Sequence, residues 1–132
     1  EEINLKESEL VESLTGLKST DDINTLVVSE PVMGSQALEV AVIKTKEKTD
    51  ITSMMQNIKD NVDMSRWICV SAEKLYIVNS GDVIFMVMAD NDWAKSIYDE
   101  FVKYVDNKVG ETLEKGETLE ELPDEYNGAV AE

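Results

Sequence analysis

The hydrophobic pattern changes period most sharply between residues 82 and 109. Val83 to Ala89 is an unbroken apolar run of seven residues, with the length and β-rich composition of a strand buried on both faces or nearly so. From Trp93 onward, Ala94, Ile97, Tyr98, Phe101, Val102, Val105 and Val109 trace one stripe of an amphipathic helix. Lys95, Asp99, Glu100, Lys103 and Asp106 fall opposite. A strand therefore feeds a helix that folds back onto it.

The same two periods recur upstream. Asn4 followed by Glu7 predicts a cap for a short helix carrying Leu5, Leu10, Val11 and Leu14, with Gly16 placed to end it. INTLVVSE, residues 23 to 30, reads as a strand from its β-branched content, and PVMGSQ as the loop after it. ALEVAVIKT, residues 37 to 45, is a second strand. Leu38, Val40 and Val42 share one of its faces; Glu39, Ala41, Ile43 and Thr45 share the other, which is mixed and expected to be the wetter. Ile51, Met54, Met55, Ile58 and Val62 have helical spacing behind a Thr49 or Asp50 cap. LYIVN, residues 75 to 79, is a third strand, and Ser80-Gly81 marks a hairpin turn into the apolar run. The stretch from Asp63 to Lys74 fits either a linker strand or a buried loop.

These elements predict an α+β fold: an antiparallel four-stranded sheet with two helices on one face, in the order β-β-α-β-β-α, plus a short N-terminal helix. A shift of 43 positions lays Ile51, Met54, Met55, Ile58 and Val62 on Ala94, Ile97, Tyr98, Phe101 and Val105, as a duplicated β-β-α unit would. The organisation expected is a helical arm over residues 1–22, a core domain over 23–109 and an acidic tail over 110–132. The tail carries GETLE twice and few apolar anchors, and is read as a mobile or weakly docked extension.

Charge narrows the choice of partners. With 12 basic and 28 acidic residues the net charge is −16, which excludes the phosphate backbone of nucleic acid and anionic lipid as electrostatic partners and favours a cationic one. Residues 1–22 carry 7 acids and 2 bases, and residues 110–132 carry 8 and 1, so −12 of the −16 lies on the two arms. The chain has no histidine and one cysteine, Cys69, which removes the usual general base and any intramolecular disulfide. Cys69, flanked by Ile68 and Val70, reads as a buried structural thiol.

The segments ALEVAVIKTKEKTDITSMMQNIKDNV and NSGDVIFMVMADNDWAKSIYDEFVKYV, in this order after a short helix, resemble the domain of unknown function 4358 family. The likeness spans residues 5 to 109 and lies in apolar patterns rather than in polar motifs. That family consists largely of sequences read as lipoproteins of Clostridia-like Firmicutes. The resemblance implies an extracytoplasmic domain tethered to the outer face of the cell membrane, with its lipid anchor upstream of Glu1. It implies no activity and no site residues.

Candidate chemistry is sparse. Asp90, Asn91 and Asp92 are the densest group of oxygen ligands, but a calcium loop starting at Asp90 would need its bidentate Glu where Phe101 stands, so they read as a helix cap. The methionines Met54, Met55, Met64, Met86 and Met88 fall at core spacing. Trp67, Trp93, Tyr76 and Tyr98, together with Tyr104, are the side chains from which an interaction surface would be built. No catalytic, cofactor-binding or metal residues are assigned. The expected function is a non-catalytic extracytoplasmic binding module for a protein, a peptide or an envelope component, with no cofactor. A carboxylate- or metal-dependent hydrolase and a cytoplasmic acidic adaptor are the alternatives.

Overall fold

The computed structural model describes residues 1–30, 37–64 and 71–116. In chain order it contains α1 (Ser8–Thr15), β1 (Ile23–Ser29), β2 (Glu39–Thr45), α2 (Ile51–Asn61), β3 (Lys74–Ser80), β4 (Val83–Ala89), α3 (Asn91–Tyr104) and β5 (Thr112–Gly116). The fold is α+β, with a five-stranded antiparallel sheet ordered β1-β2-β4-β3-β5. The apolar run is the central strand β4, covered on both faces. Gly81 and Asp82 join it to β3 by a two-residue hairpin closed by the pair Ser80 and Val83, and Gly81 supplies the positive φ of 61° that this turn needs.

Local chemistry sets the starts of α2 and α3 and the end of α1. Asp50 accepts a hydrogen bond from Ser53 N–H at 3.1 Å and so caps α2, while Asp90 accepts from Trp93 N–H at 2.8 Å and caps α3. Asn4 is not the cap of α1. Its Oδ1 accepts from Lys6 N–H at 3.0 Å in the turn before the helix, and Glu7 takes the N-cap position without a side-chain bond. Gly16, at φ 82°, ends α1 as expected.

The sheet separates two apolar layers. On one face Leu26, Val28, Ala41, Ile43, Leu75, Ile77, Ile84, Met86 and Met88 pack with Val11, Leu14 and Leu17 of the α1 region and with Met54, Met55 and Ile58 of α2. On the other, Tyr76, Val78, Phe85, Val87 and Ala89 pack with Ala94, Ile97, Tyr98 and Phe101 of α3. The helices therefore lie on opposite faces, not on one. The reason is topological. The β2-α2-β3 and β4-α3-β5 connections each join parallel strands across one intervening strand and step the same way along the sheet, but they start from antiparallel strands. Two crossovers of the same hand must then leave on opposite sides.

This arrangement also removes the duplicated unit. A repeat that exchanged the two hairpins would be related by a two-fold axis normal to the sheet, which would keep both helices on one side. The fifth strand was absent from the expected sheet of four. Thr112–Gly116, within the segment read as acidic tail, pairs with β3 from Val78↔Thr112 to Lys74↔Gly116. Its pairing is imposed by the free edge of β3 rather than by its own composition. The N-terminal residues are likewise fastened: Ile3 N–H donates to Leu26 O at 2.8 Å, Val28 N–H to Glu1 O at 2.9 Å, and Glu2 bridges Val27 on the outer edge of β1.

Candidate functional site

Helix α3 is seated by two ring stacks. Tyr76 and Tyr98 lie 4.6 Å apart at 22°, and Phe85 and Phe101 lie 4.2 Å apart at 11°. The Tyr98 hydroxyl is also 3.1 Å from that of Thr112, which ties the helix to β5. These contacts hold α3 over β4, β3 and β5. The contacts of α3 fall mainly on β4 and β3, and on the β1-β2 half of the same face Leu38, Val40 and Val42 are only partly covered.

The strand register says which side chains that leaves open. Val27 pairs with Val42 and Ser29 with Val40, so Val27, Val40 and Val42 project to the α3 side together with Leu38. Val27 is 38% exposed, and Leu38, Val40 and Val42 are half-buried. Along β2 the burial alternates, with Glu39, Ala41, Ile43 and Thr45 buried. The face expected to be wetter is thus the dry one, because α1 and α2 cover it, and Thr45 finds a partner in Asp82 O at 2.8 Å. The face carrying Leu38, Val40 and Val42, with exposed Lys44 at its end, is the more open one.

The near wall of α3 extends this shelf. Trp93, Ile97 and Tyr104 fall at i, i+4 and i+11, one stripe of the helix. Trp93 is 52% and Tyr104 86% exposed. Between strand and helix runs an open groove of about 550 Å³ lined by Val40, Phe85, Ile97, Phe101 and Tyr104, with Glu100 and Lys103 on its rim. The described residues expose four large apolar side chains, Leu10, Val27, Trp93 and Tyr104. Three of these border the shelf or continue its helical wall, whereas Leu10 belongs to α1 on the opposite layer.

The aromatic residues picked out from the sequence therefore divide. Trp93 and Tyr104 present open ring surface, Tyr76 is buried, Tyr98 is half-buried on the sheet side of α3, and Trp67 lies outside the described residues, as does Cys69. Burial pushes the Tyr76 phenol above its ordinary pKa, as expected of a core ring. Lys74, 1% exposed, reaches Glu114 of β5 at 2.9 Å and lies 5.3 Å from the centre of the Tyr76 ring. This pair, its lysine buried and its carboxylate half exposed, joins the edge strand to β3. Sequence reasoning missed Val27, Leu38, Val40 and Val42 as surface residues. The signal available was the set Leu38, Val40 and Val42 on one face of β2, followed there by Lys44.

A second, more polar hollow of about 350 Å³ separates the end of α1 from α2, between Lys18, Asp22, Asp50, Ser53 and Asn57. Asp50 is already engaged there by Ser53, whose backbone N–H first and hydroxyl second hold the carboxyl below its ordinary pKa. Among the described residues no three carboxylate or thiol groups converge to hold a metal ion, and no helix is long and apolar enough to cross a membrane. No family model, curated protein or solved structure matches the chain.

Proposed function

We propose that the domain is a non-catalytic binding module of an extracytoplasmic lipoprotein, holding a protein, peptide or envelope component against the open β1-β2 half of its sheet. One observation carries the binding part of this reading: on the α3 side of the β1-β2 half, exposed Val27 and half-buried Leu38, Val40 and Val42 form an aliphatic strip flanked by exposed Tyr104. Contiguous open apolar surface marks interaction sites in folded proteins. The location rests on the resemblance to the lipoprotein family.

Site-specific photo-crosslinking tests both parts in cells expressing the natural protein. A photoreactive phenylalanine analogue in place of exposed Tyr104 should yield a discrete protein or envelope adduct. The same probe in place of exposed Gln56, on α2 and the opposite layer, should not. Metabolic labelling with a fatty-acid analogue should mark the full-length product. Equal adducts at both positions, or none at Tyr104, would remove the binding reading, and an unlabelled product would remove the lipoprotein reading.

A further inference from the structure

The open half-face has the dimensions of one missing helix. Packed helices stand about 8–10 Å apart, and neighbouring strands about 4.8 Å apart. Since α3 lies over β4 and β3, a helix packed beside it would sit two strands over, along the line between β1 and β2. That is where Val27, Leu38, Val40 and Val42 lie. On the opposite face two helical segments share the layer: Val11 and Leu14 of α1 belong to the same core cluster as Leu26 and Val28 of β1, and α2 packs on β3 and β5. The α3 layer has one helix where two fit. The seven residues of β2 span roughly 23 Å at about 3.3 Å each, a length matched by a helix of about 15 residues.

The charge of the molecule selects the occupant. A net charge of −16 opposes the approach of a second copy, of nucleic acid and of an anionic membrane, and draws in a cation over distances of about the screening length. Around the shelf itself, Glu2 shares the face of its bridge partner Val27, Glu100 and Lys103 sit 3.9 Å apart on α3, and Lys44 follows Val42 on β2. These four groups balance in sign. The discrimination therefore comes from the field of the whole chain, while the apolar shelf supplies the contact.

Building on the binding-module reading, we propose that the shelf takes one amphipathic helix, about four turns long and flanked by Lys or Arg, from a basic partner protein. Its apolar stripe would lie on Val27, Val40 and Val42 and against Ile97 and Tyr104, in the helix-in-groove mode of recognition.

The test uses the full chain and a fluorescein-labelled 15-residue Leu/Lys peptide with helical apolar spacing, read by fluorescence anisotropy. A Leu/Glu peptide of the same apolar pattern serves as its acidic counterpart. Val27→Lys, Tyr104→Lys and Leu10→Lys each change the net charge by the same amount, so they differ only in where the change is made. Saturable binding of the Leu/Lys peptide is expected, weakened roughly tenfold or more by Val27→Lys and by Tyr104→Lys and little altered by Leu10→Lys. Tyr104 is 86% exposed, so its variant keeps the fold intact even if Val27→Lys does not. Equal loss with Leu10→Lys, equal binding of the Leu/Glu peptide, or no saturable binding would overturn the proposal. So would a sedimenting dimer of the wild type that Tyr104→Lys dissociates, since it would place a second copy on the shelf. If crosslinks form at Tyr104 while the Leu/Lys peptide fails, the binding module stands and the basic helix falls. Absence of crosslinks removes both.

Discussion

Replacing Gly16 with alanine tests whether the N-terminal helix is a fixed layer of the fold. Gly16 adopts φ +82°, and a Cβ built on it would sit 2.5 Å from Val62 N, 2.6 Å from Asn61 C and 2.9 Å from Val62 Cα. All three are backbone atoms at the end of α2, so no side chain can swing away and α1 must move off α2. The left-handed conformation alone costs a residue with a Cβ about 1–2 kcal/mol. Forcing two packed elements apart adds about 1–3 kcal/mol, for a sum of roughly 2–5 kcal/mol. Gly81 is the internal control: it also has positive φ, +61°, but an added Cβ there meets nothing within 4 Å. Gly81→Ala should therefore show only the conformational part. In urea or thermal denaturation, a chain of this size loses on the order of 4 °C of midpoint per kcal/mol, so Gly16→Ala should melt on the order of 10 °C below the wild type and clearly below Gly81→Ala. Equal losses for the two variants would refute the close packing of α1 on α2.

Phe85→Ala should cost about 3–5 kcal/mol because it empties the stack on Phe101 at the centre of the α3 layer, whereas Tyr104→Ala should change stability by about 0.5 kcal/mol or less; comparable losses would mean that Tyr104 is packed. A chain ending at Glu111 lacks β5, with its Lys74–Glu114 pair and its Tyr98–Thr112 bond, and should melt several degrees below a chain ending at Gly116; coincident melts would show that β5 contributes nothing. Asp50→Ala should lower the midpoint at neutral pH. Because the Asp50 carboxyl is held below its ordinary pKa in the folded chain, its stabilisation is present above the ordinary carboxylate value and is lost as pH falls through the lowered one, so the gap between variant and wild type should close in acid; a gap that widened in acid would contradict the capping role.

The elements were legible in the sequence where a single period dominates. Val83–Ala89, the helices behind Asp50 and Asp90, and the Gly81 turn all follow from local pattern and capping chemistry. What failed was information that belongs to the assembled sheet. TLEKG has one strong apolar residue and no strand signature, yet it pairs because β3 would otherwise expose an unpaired edge. Once β5 is in place, α3 becomes a crossover and is carried to the opposite face, a consequence invisible without the strand order. The same omission hid the candidate surface. Periodicity separates Leu38, Val40 and Val42 from Glu39, Ala41 and Ile43, but which set meets water depends on where the helices land, and here burial of the mixed set runs against its polarity. Trp93, which opens α3 beside Asp90 and Asp92, is 52% exposed, and its helical spacing alone did not separate that from packing against the sheet edge.

The openness of the β1-β2 half-face is tested most directly by methyl NMR of the full chain, labelled at Leu and Val methyls, with a soluble nitroxide added to the solvent. Val27 is 38% exposed, Val40 and Val42 are half-buried, and Val78 and Val87 on the same face lie fully beneath α3. The methyls of Val27, Val40, Val42 and Leu38 should broaden as nitroxide is added, while those of Val78, Val87 and, on the opposite face, Leu26 stay sharp. Equal protection of Val27, Val40 and Val42 with Val78 would show the shelf to be covered and would contradict its role as the binding surface.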